Sequence, residues 1–307
     1  MEKTIKTTLK LSLVFASLTL ATLMARSRVA PAQEKGPSPE AQATYADIEK
    51  TLGLVPSFFR AFPEEAISPA WDEFKSVQLN PASAISPKYK ELIGLAVAAQ
   101  IPCRYCSYFH TKAAGLSGAS ERELKEAVVM AGITRQWSTV LNGLQTDESQ
   151  FRVELGKVLD YVKKPHLPQA AIAVVDASSA YRDMESTLGL VPWFFKQFPE
   201  AGIGGAWREF KTIQLNPHSA LPGKAKELIG LAVASQIPCR YCIVFHTEVA
   251  RLNGATDAEI HEAVAMASLT RHWSTFLNGM LTDEAVFRRE TDQAIANVRR
   301  KMQVAER

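Results

Sequence analysis

Apolar positions recur every three to four residues over most of the chain, which is the spacing of an amphipathic helix. The segments ELKEAVVMAG and EIHEAVAMAS show this spacing clearly. Each begins at a capping-box pair, Ser120 with Glu123 and Thr256 with Glu259, in which side chain and backbone satisfy each other's free groups. Valine and isoleucine do not alternate with polar residues over any strand-length window. The pattern therefore predicts an all-α fold.

The chain carries the same pattern twice. A shift of 136 residues aligns residues 45–152 with residues 181–288 without a gap. Between residues 88–112 and 224–248, 20 of 25 positions are identical. Self-similarity over this length indicates two copies of one fold.

Prolines and polar residues interrupt the helical pattern between the two copies. The interruption reads KKPHLP, in which two closely spaced prolines stop helices and the polar residues favour solvent. We predict two tandem helical-bundle domains at residues 40–162 and 176–303, joined by a linker at residues 163–175.

The first 32 residues have the layout of a secretory signal. Lysines precede an uncharged run of 15 residues at 11–25, whereas a membrane-spanning helix needs about 20 apolar residues. The small residues of Ala30-Pro31-Ala32 favour cleavage before Gln33. We predict a leader at residues 1–32 and export of the body, to the periplasm. The alternative is an uncleaved membrane anchor at the N-terminus.

Composition excludes several classes of protein. The chain has 307 residues, of which 47% are hydrophobic and 22% charged, as in soluble globular proteins. The first 32 residues hold five of its 35 basic and one of its 32 acidic side chains, so the remainder holds 30 bases against 31 acids. A nearly neutral body gives no electrostatic basis for binding nucleic acid.

All four cysteines lie in two copies of one motif, Glu-x11-Cys-x2-Cys-x3-His. A proline directly before the first cysteine is tolerated at a helix start, and the helix dipole there lowers the pKa of a thiol. The cysteines and the histidine are spaced i, i+3 and i+7, so they share one helix face. The candidate site residues are Glu91, Cys103, Cys106 and His110 in the first copy and Glu227, Cys239, Cys242 and His246 in the second.

A carboxylate beside an imidazole beside a thiol can relay protons, because the base removes the thiol proton and the acid returns one to the leaving group. The glutamate must reach this face from the preceding helix, since the proline breaks the run between them. The four histidines outside the motif have no histidine counterpart in the other copy, which favours a role for the two that do.

The motif, embedded in ELIGLAVAAQIPCRYCSYFHTKAA and followed by a Gly-Ala-(Ser/Thr)-x-x-Glu helix start, resembles the alkylhydroperoxidase D-like branch of the carboxymuconolactone decarboxylase family. The resemblance implies an all-α fold, homo-oligomers and a cysteine peroxidase that forms a disulfide in each turnover. Decarboxylase members lack the cysteine pair, which disfavours decarboxylation. Some members carry a second histidine between the cysteines, where this chain has Tyr105 and Tyr241.

The resemblance also implies a role for each residue. Cys106 and Cys242 would attack the peroxide, Cys103 and Cys239 would resolve the intermediate, and the glutamate and histidine of each copy would form the relay. Helix electrostatics alone favours Cys103 as the more acidic thiol, and we follow the resemblance. The predicted partners are a peroxide substrate and a dithiol reductant or redox partner protein, with no cofactor and no metal.

Other interpretations compete with the peroxidase. The cysteine pairs could be structural disulfides in an exported protein, although bridging residues three apart constrains the unfolded chain little. Zinc could take two cysteines, a histidine and a glutamate, although structural zinc sites usually pair two separated half-motifs. The protein could also be an exported thiol–disulfide exchange protein, because that function requires the same cysteine pair.

A helical binding module with structural disulfides is a further alternative, and in it the aromatic side chains would be exposed. Their spacing is more simply that of a packed core, although an aromatic ligand pocket is also consistent with it. The aromatic residues in question are Phe58, Phe59, Phe62, Trp71 and Phe74.

Overall fold

The computed structural model describes residues 36–166 and 171–305, and helices make up its regular structure without a strand in those residues. A π-helical turn at Lys75–Leu79 follows the third helix. The first copy forms α1 (Pro39–Leu52), α2 (Ser57–Ala61), α3 (Glu64–Phe74), α4 (Pro87–Gln100), α5 (Arg104–Leu116), α6 (Glu121–Gly143) and α7 (Glu148–Val162). The second copy forms α8 (Ala177–Leu188), α9 (Trp193–Lys196), α10 (Glu200–Ile213), α11 (Gly223–Gln236), α12 (Arg240–Leu252), α13 (Asp257–Gly279) and α14 (Glu284–Ala305).

The all-α prediction and the duplication are confirmed, since each helix of the first copy has a counterpart in the second. Both predicted capping boxes are present. Ser120 begins α6 and Thr256 begins α13, each with reciprocal side-chain and backbone hydrogen bonds to the glutamate three residues later. These bonds satisfy backbone N–H groups that would otherwise lack a partner at a helix start.

The centre of the protein is a core that both copies build. Nine consecutive residues of α4, 90–98, and ten of α11, 225–234, are buried. These two helices pack against each other and against α6 and α13. Small side chains in the shared sequence GLAVA allow the close approach of helices on all sides. The two repeats therefore share one hydrophobic core, and the predicted domain boundaries stay a prediction.

Each copy also fastens a loop of the other. The Glu262 carboxylate on α13 accepts hydrogen bonds from the backbone N–H groups of Ala84 and Ile85, at 2.9 and 2.7 Å. The Glu126 carboxylate on α6 accepts equivalent bonds from the loop before α11. The last helix of each copy crosses over as well, because α7 packs on α12 and α14 packs on α5. The copies are thus interlocked in a reciprocal way.

The aromatic residues of the first copy form a core, as their spacing indicates. Phe59 and Trp71 are fully buried and Phe74 is 8% exposed. Phe58 and Phe62 pack partly buried against the same cluster. Full burial of a ring such as that of Phe59 stabilises the fold by about 1.5–3 kcal/mol.

The predicted leader and the part of the linker at residues 167–170 lie outside the described residues. In the described part of the chain, every helix is too short or too polar to cross a membrane.

Candidate active site

Cys103 is the N-cap residue of α5. Its sulfur accepts a hydrogen bond from the backbone N–H of Cys106 at 3.2 Å. The two sulfurs lie 2.7 Å apart, and both cysteines are free thiols buried in the protein. Cys239 has the same position at the start of α12 and accepts from the backbone N–H of Cys242 at 3.3 Å. In both copies the first cysteine thus meets the positive end of a helix dipole.

This environment makes the first cysteine of each pair acidic. The hydrogen bond from Cys106, together with bonds from Ser274 and Asn278, lowers the pKa of the Cys103 thiol from 9.0 to about 6, against the opposing effect of burial. The pKa of Cys239 is lowered to about 6 by the same contacts from Cys242, Ser138 and Asn142. The thiolate is the reactive form of cysteine, so each pair holds a reactive sulfur at neutral pH.

The second cysteine has the opposite shift. The adjacent Cys103 sulfur and burial raise the pKa of the Cys106 thiol, and Cys242 behaves in the same way beside Cys239. A pair of sulfurs this close holds one negative charge, which rests on the N-cap cysteine because the donors converge there. The lower pKa thus belongs to the cysteine at the helix start, as helix electrostatics predicts, whereas the roles that the resemblance implies for the individual cysteines stay a prediction.

The second cysteine of each pair faces a small cavity, whereas the first cysteine does not line it. Cys106 and His110 line a cavity of about 40 Å³, walled mainly by apolar side chains that include Phe58, Phe74 and Trp273. Cys242 and His246 line a cavity of the same size in the second copy. Such a volume accommodates a few water-sized groups.

The glutamate and the histidine of each motif form a buried pair. Glu91 on α4 and His110 on α5 are 5% and 3% exposed, and the Glu91 Oε2 atom lies 2.7 Å from His110 Nδ1. Glu227 and His246 have the same separation. A carboxylate on Nδ1 fixes the ring and leaves Nε2 as the nitrogen that exchanges a proton. The sequence predicted this glutamate on the preceding helix, and the structure brings it to the histidine.

A glutamine that was not predicted from the sequence donates a hydrogen bond to the glutamate of each pair. Gln78 is buried and its Nε2 donates to Glu91 Oε1 at 3.1 Å. Gln214 donates to Glu227 at 3.2 Å in the second copy. These donors offset part of the cost of a buried carboxylate.

Each site also takes side chains from the other copy, which the sequence analysis missed. From α13, the hydroxyl of Thr270 lies 3.4 Å from His110 Nε2, and Asn278 Nδ2 donates to the Cys103 sulfur at 3.5 Å. From α6, Thr134 lies 3.2 Å from His246 Nε2, and Asn142 donates to Cys239. Neither copy can therefore complete its site alone.

One signal in the sequence does mark these residues. They fall in the stretches TRQWSTVLNG and TRHWSTFLNG, where threonine, serine and asparagine are identical between the copies although no cysteine or histidine of the motif is near.

Two glycines allow the histidine rings to approach the neighbouring helix. A Cβ atom on Gly94 would collide with the ring of His110, and a Cβ on Gly230 would collide with His246. The glycine of ELIG is therefore a requirement of the site and not only of helix packing.

The tyrosine between the cysteines contacts the other copy. The Tyr105 hydroxyl donates to the carbonyl of Thr282 at 2.6 Å, and Tyr241 donates to the carbonyl of Thr146 at 2.6 Å. These bonds fasten the first turn of α5 to the loop between α13 and α14, and the first turn of α12 to the loop between α6 and α7. Within residues 36–166 and 171–305, no cluster of three or more histidine, cysteine or acidic side chains is placed to hold a metal ion.

Comparison with known proteins agrees with this architecture. The family model of the carboxymuconolactone decarboxylase family matches residues 66–147 and 202–285, one match in each copy. No curated protein matches the chain. A Burkholderia xenovorans protein assigned as a gamma-carboxymuconolactone decarboxylase subunit has a similar crystal structure, with a TM-score of 0.55 and 17% sequence identity over 82% of this chain and 99% of that one. At that identity the likeness concerns the fold, and the two family matches, which cover more than half of the chain, decide its membership. The chain belongs to the carboxymuconolactone decarboxylase family, with two tandem copies of the family's helical fold.

Proposed function

We propose that this protein is a thiol-dependent peroxidase with one redox centre in each repeat. The observation that carries the proposal is an acidic thiolate in contact with a second thiol, which shares a small cavity with a glutamate-bound histidine. A peroxide needs a nucleophilic sulfur, a proton for the departing alkoxide and a site too small for bulk water, and these three features supply them.

The first step oxidises the sulfur that faces the cavity. The Cys106 proton moves to the Cys103 thiolate across the 2.7 Å contact, which leaves the negative charge on Cys106. The Cys106 thiolate attacks the terminal peroxide oxygen, so an S–O bond forms and the O–O bond breaks. The departing alkoxide takes from His110 the proton that Cys103 released on ionising and leaves as an alcohol, and Cys106 becomes a sulfenic acid.

The second step forms the disulfide. Cys103 attacks the Cys106 sulfur, so the S–S bond forms, the S–O bond breaks, and hydroxide leaves as water with the Cys103 proton. Two thiols and one peroxide thus give one disulfide, one alcohol and one water. A dithiol reductant returns both thiols by exchange, and export of the body would require a reductant outside the cytoplasm.

The family contains decarboxylases as well, and the redox pair favours a peroxidase over them. A decarboxylase has no use for two sulfurs 2.7 Å apart or for a thiol whose pKa is about 6. A purely structural disulfide would not need an acidic thiol or the adjoining Glu91–His110 pair either.

The test is a count of free thiols on reduced, metal-free residues 33–307. Substoichiometric hydrogen peroxide or cumene hydroperoxide is added, and thiols are counted within seconds. We expect two thiols to disappear for each peroxide, with disulfides mapped to Cys103–Cys106 and Cys239–Cys242. Thiols that stay unreactive would contradict the proposal.

The matched variant is Cys106→Ser combined with Cys242→Ser. It keeps the N-cap thiols but removes the sulfur that lines each cavity. We expect loss of peroxide turnover with unchanged helix content by circular dichroism. Retained turnover in this double variant would exclude the assigned chemistry.

A further inference from the structure

A second and much larger cavity lies beside the site of the second repeat. Its volume is about 420 Å³, within the usual range for small-molecule sites. It lies among α7, α11, α12 and the segment around α9. Its wall is mainly apolar and includes Phe151, Leu155, Val158, Phe194, Phe245 and Leu252.

This large cavity borders the small cavity that contains Cys242 and His246. Four aromatic side chains and Gln214 line both of them. Glu227, the carboxylate bound to His246, also lines the large cavity. A molecule in the large cavity therefore lies next to the candidate catalytic residues of the second repeat.

The charged groups on the wall are already occupied. The Lys226 ammonium donates to two backbone carbonyls and to Ser219 Oγ. Glu227 accepts from Gln214 and pairs with His246. Glu154 accepts from the backbone N–H of Trp193. Since Lys226 has all three of its donors engaged, Glu227 is paired and the Glu154 carboxylate would repel an anion, the mainly apolar cavity suits an uncharged, apolar molecule.

The first repeat is built differently at the corresponding place. There α14 packs on α5, and Asp292 on α14 accepts a hydrogen bond from Tyr108 and an ion pair from Lys112 on α5. In the second repeat the equivalent positions carry Gly156, Val244 and Glu248, of which the first two have no side-chain group for such bonds.

The side chains between the paired helices differ in size as well. Leu155 and Val158 on α7 line the large cavity, whereas their counterparts on α14 are the buried Thr291 and Ala294. Smaller side chains let helices approach more closely. The helix pair of the first repeat is therefore fastened by polar contacts, and the cavity of about 330 Å³ beside it is lined by polar residues that include Lys112, Asp292 and Arg299. The helix pair of the second repeat leaves room for an apolar ligand.

We propose that the second site acts on organic hydroperoxides with a bulky apolar group, aromatic or long-chain alkyl, which lies in the large cavity while the hydroperoxide group reaches Cys242. The first site then acts on small peroxides. This assignment rests on the proposed peroxidase function. The bond changes are those given above, and the alcohol that leaves keeps the apolar group.

The test compares two single-site proteins. Cys106→Ser leaves only the second site, and Cys242→Ser leaves only the first. For each, kcat/KM is measured with hydrogen peroxide and with cumene hydroperoxide. We expect the ratio of kcat/KM for cumene hydroperoxide to that for hydrogen peroxide to be at least about tenfold higher in the protein that keeps the second site than in the protein that keeps the first. This is a usual discrimination for an apolar pocket. Equal preferences in the two proteins would overturn the proposal.

A variant at the edge of the large cavity locates the apolar group. Leu252 lines the cavity and is 40% exposed, so Leu252→Trp fills it without disturbing the core. In the Cys106→Ser protein we expect about a tenfold loss of kcat/KM for cumene hydroperoxide and no change for hydrogen peroxide. Leu116→Trp, at the equivalent position of the first repeat, is the matched control and should change neither value. An unchanged cumene hydroperoxide value in Leu252→Trp would overturn the proposal.

Binding of cumyl alcohol, the unreactive product, separates this proposal from the peroxidase function. Calorimetry on the reduced wild-type protein and on Leu252→Trp measures the affinity without turnover. Cumyl alcohol binding that Leu252→Trp abolishes, together with consumption of both peroxides, supports both proposals. The same binding without peroxide consumption would overturn the peroxidase function and the substrate assignment with it. Peroxide consumption without cumyl alcohol binding would overturn only the apolar cavity's role.

Discussion

The two sites have the same reactive groups in different surroundings. Each has an N-cap cysteine with a pKa of about 6, a second cysteine on a small cavity, and a histidine 2.7 Å from its glutamate. Around the first site, Asp292 fastens α14 to α5. Around the second, a cavity of about 420 Å³ lies between α7 and α12. The duplicated sequence thus retained the chemistry and diverged in what can reach it.

The comparison also shows why the copies cannot be separated. Besides the second cysteine of each pair, the side chains that donate to the Cys103 thiolate come from α13, and those that donate to the Cys239 thiolate come from α6. A substitution in one repeat therefore acts on the reactive sulfur of the other. One site can therefore be changed while the other serves as a reference.

The largest effect is expected from Gly94→Ala in the Cys242→Ser background. The added methyl group collides with the His110 ring, so the imidazole leaves the position in which Glu91 holds it. Loss of a general acid–base group typically costs about 10²–10⁴-fold in rate, and we expect at least about a 100-fold fall in kcat/KM for hydrogen peroxide.

Two controls accompany this variant. Gly132→Ala is also within a helix, but its Cβ would have nothing within 4 Å, so activity should stay at the parent value. Gly230→Ala in the Cys106→Ser background should disable the second site to the same extent, because its Cβ meets His246. Full activity in Gly94→Ala would show that the Glu91–His110 geometry is not needed.

A smaller effect is expected from Asn278→Ala. This asparagine on α13 donates to the Cys103 sulfur at 3.5 Å and helps to lower its pKa to about 6. Without this donor we expect the pKa of Cys103 to rise by less than about one unit, because Asn278 is the weakest of the donors on this sulfur. Since the thiolate fraction falls as pH drops below the pKa, Cys103 should react up to about tenfold more slowly at pH 5 and up to about twofold more slowly at pH 7.

The measurement is the rate of modification by methyl methanethiosulfonate across pH 4–9, read by mass spectrometry for each cysteine peptide. Cys239 in the same molecule is the internal reference, because its donor is Asn142. Asn142→Ala should shift Cys239 and leave Cys103 unchanged. If Asn278→Ala shifts both peptides or neither, the crossed assignment of donors is wrong.

The sequence predicted the parts of each site that lie close together in the chain. Cys103, Cys106 and His110 fall within eight residues, where helix periodicity fixes their relative positions. Glu91 is selected by its fixed distance ahead of the cysteines in both copies, and the proline between them places it on the preceding helix. The capping boxes of α6 and α13 were predicted for the same local reason.

The residues that each site takes from the other copy could not be derived from local periodicity. Thr270 is 160 residues from His110, and only the packing of α13 on the first copy brings them together. Their identity between the repeats is a usable signal, but it does not say which cysteine they serve. The large cavity was beyond the sequence as well, because it depends on how closely α7 and α12 pack, and that depends on Leu155 and Val158 in their tertiary context.

The smallest effect is expected from Asp292→Ala in the Cys242→Ser background, which loosens the helix pair of the first site. The variant removes the hydrogen bond from Tyr108 and the ion pair with Lys112. Because these side chains are 42% and 50% exposed in the ion pair, the free energy of unfolding should fall by less than about 1 kcal/mol. We expect the ratio of kcat/KM for cumene hydroperoxide to that for hydrogen peroxide to rise about threefold, as the first site comes to resemble the second.

Glu121→Ala, which removes an exposed ion pair with Lys125 on α6, should lower stability similarly and leave the ratio unchanged. A ratio that stays constant in Asp292→Ala would mean that the fastening of α14 contributes to stability and not to the choice of peroxide.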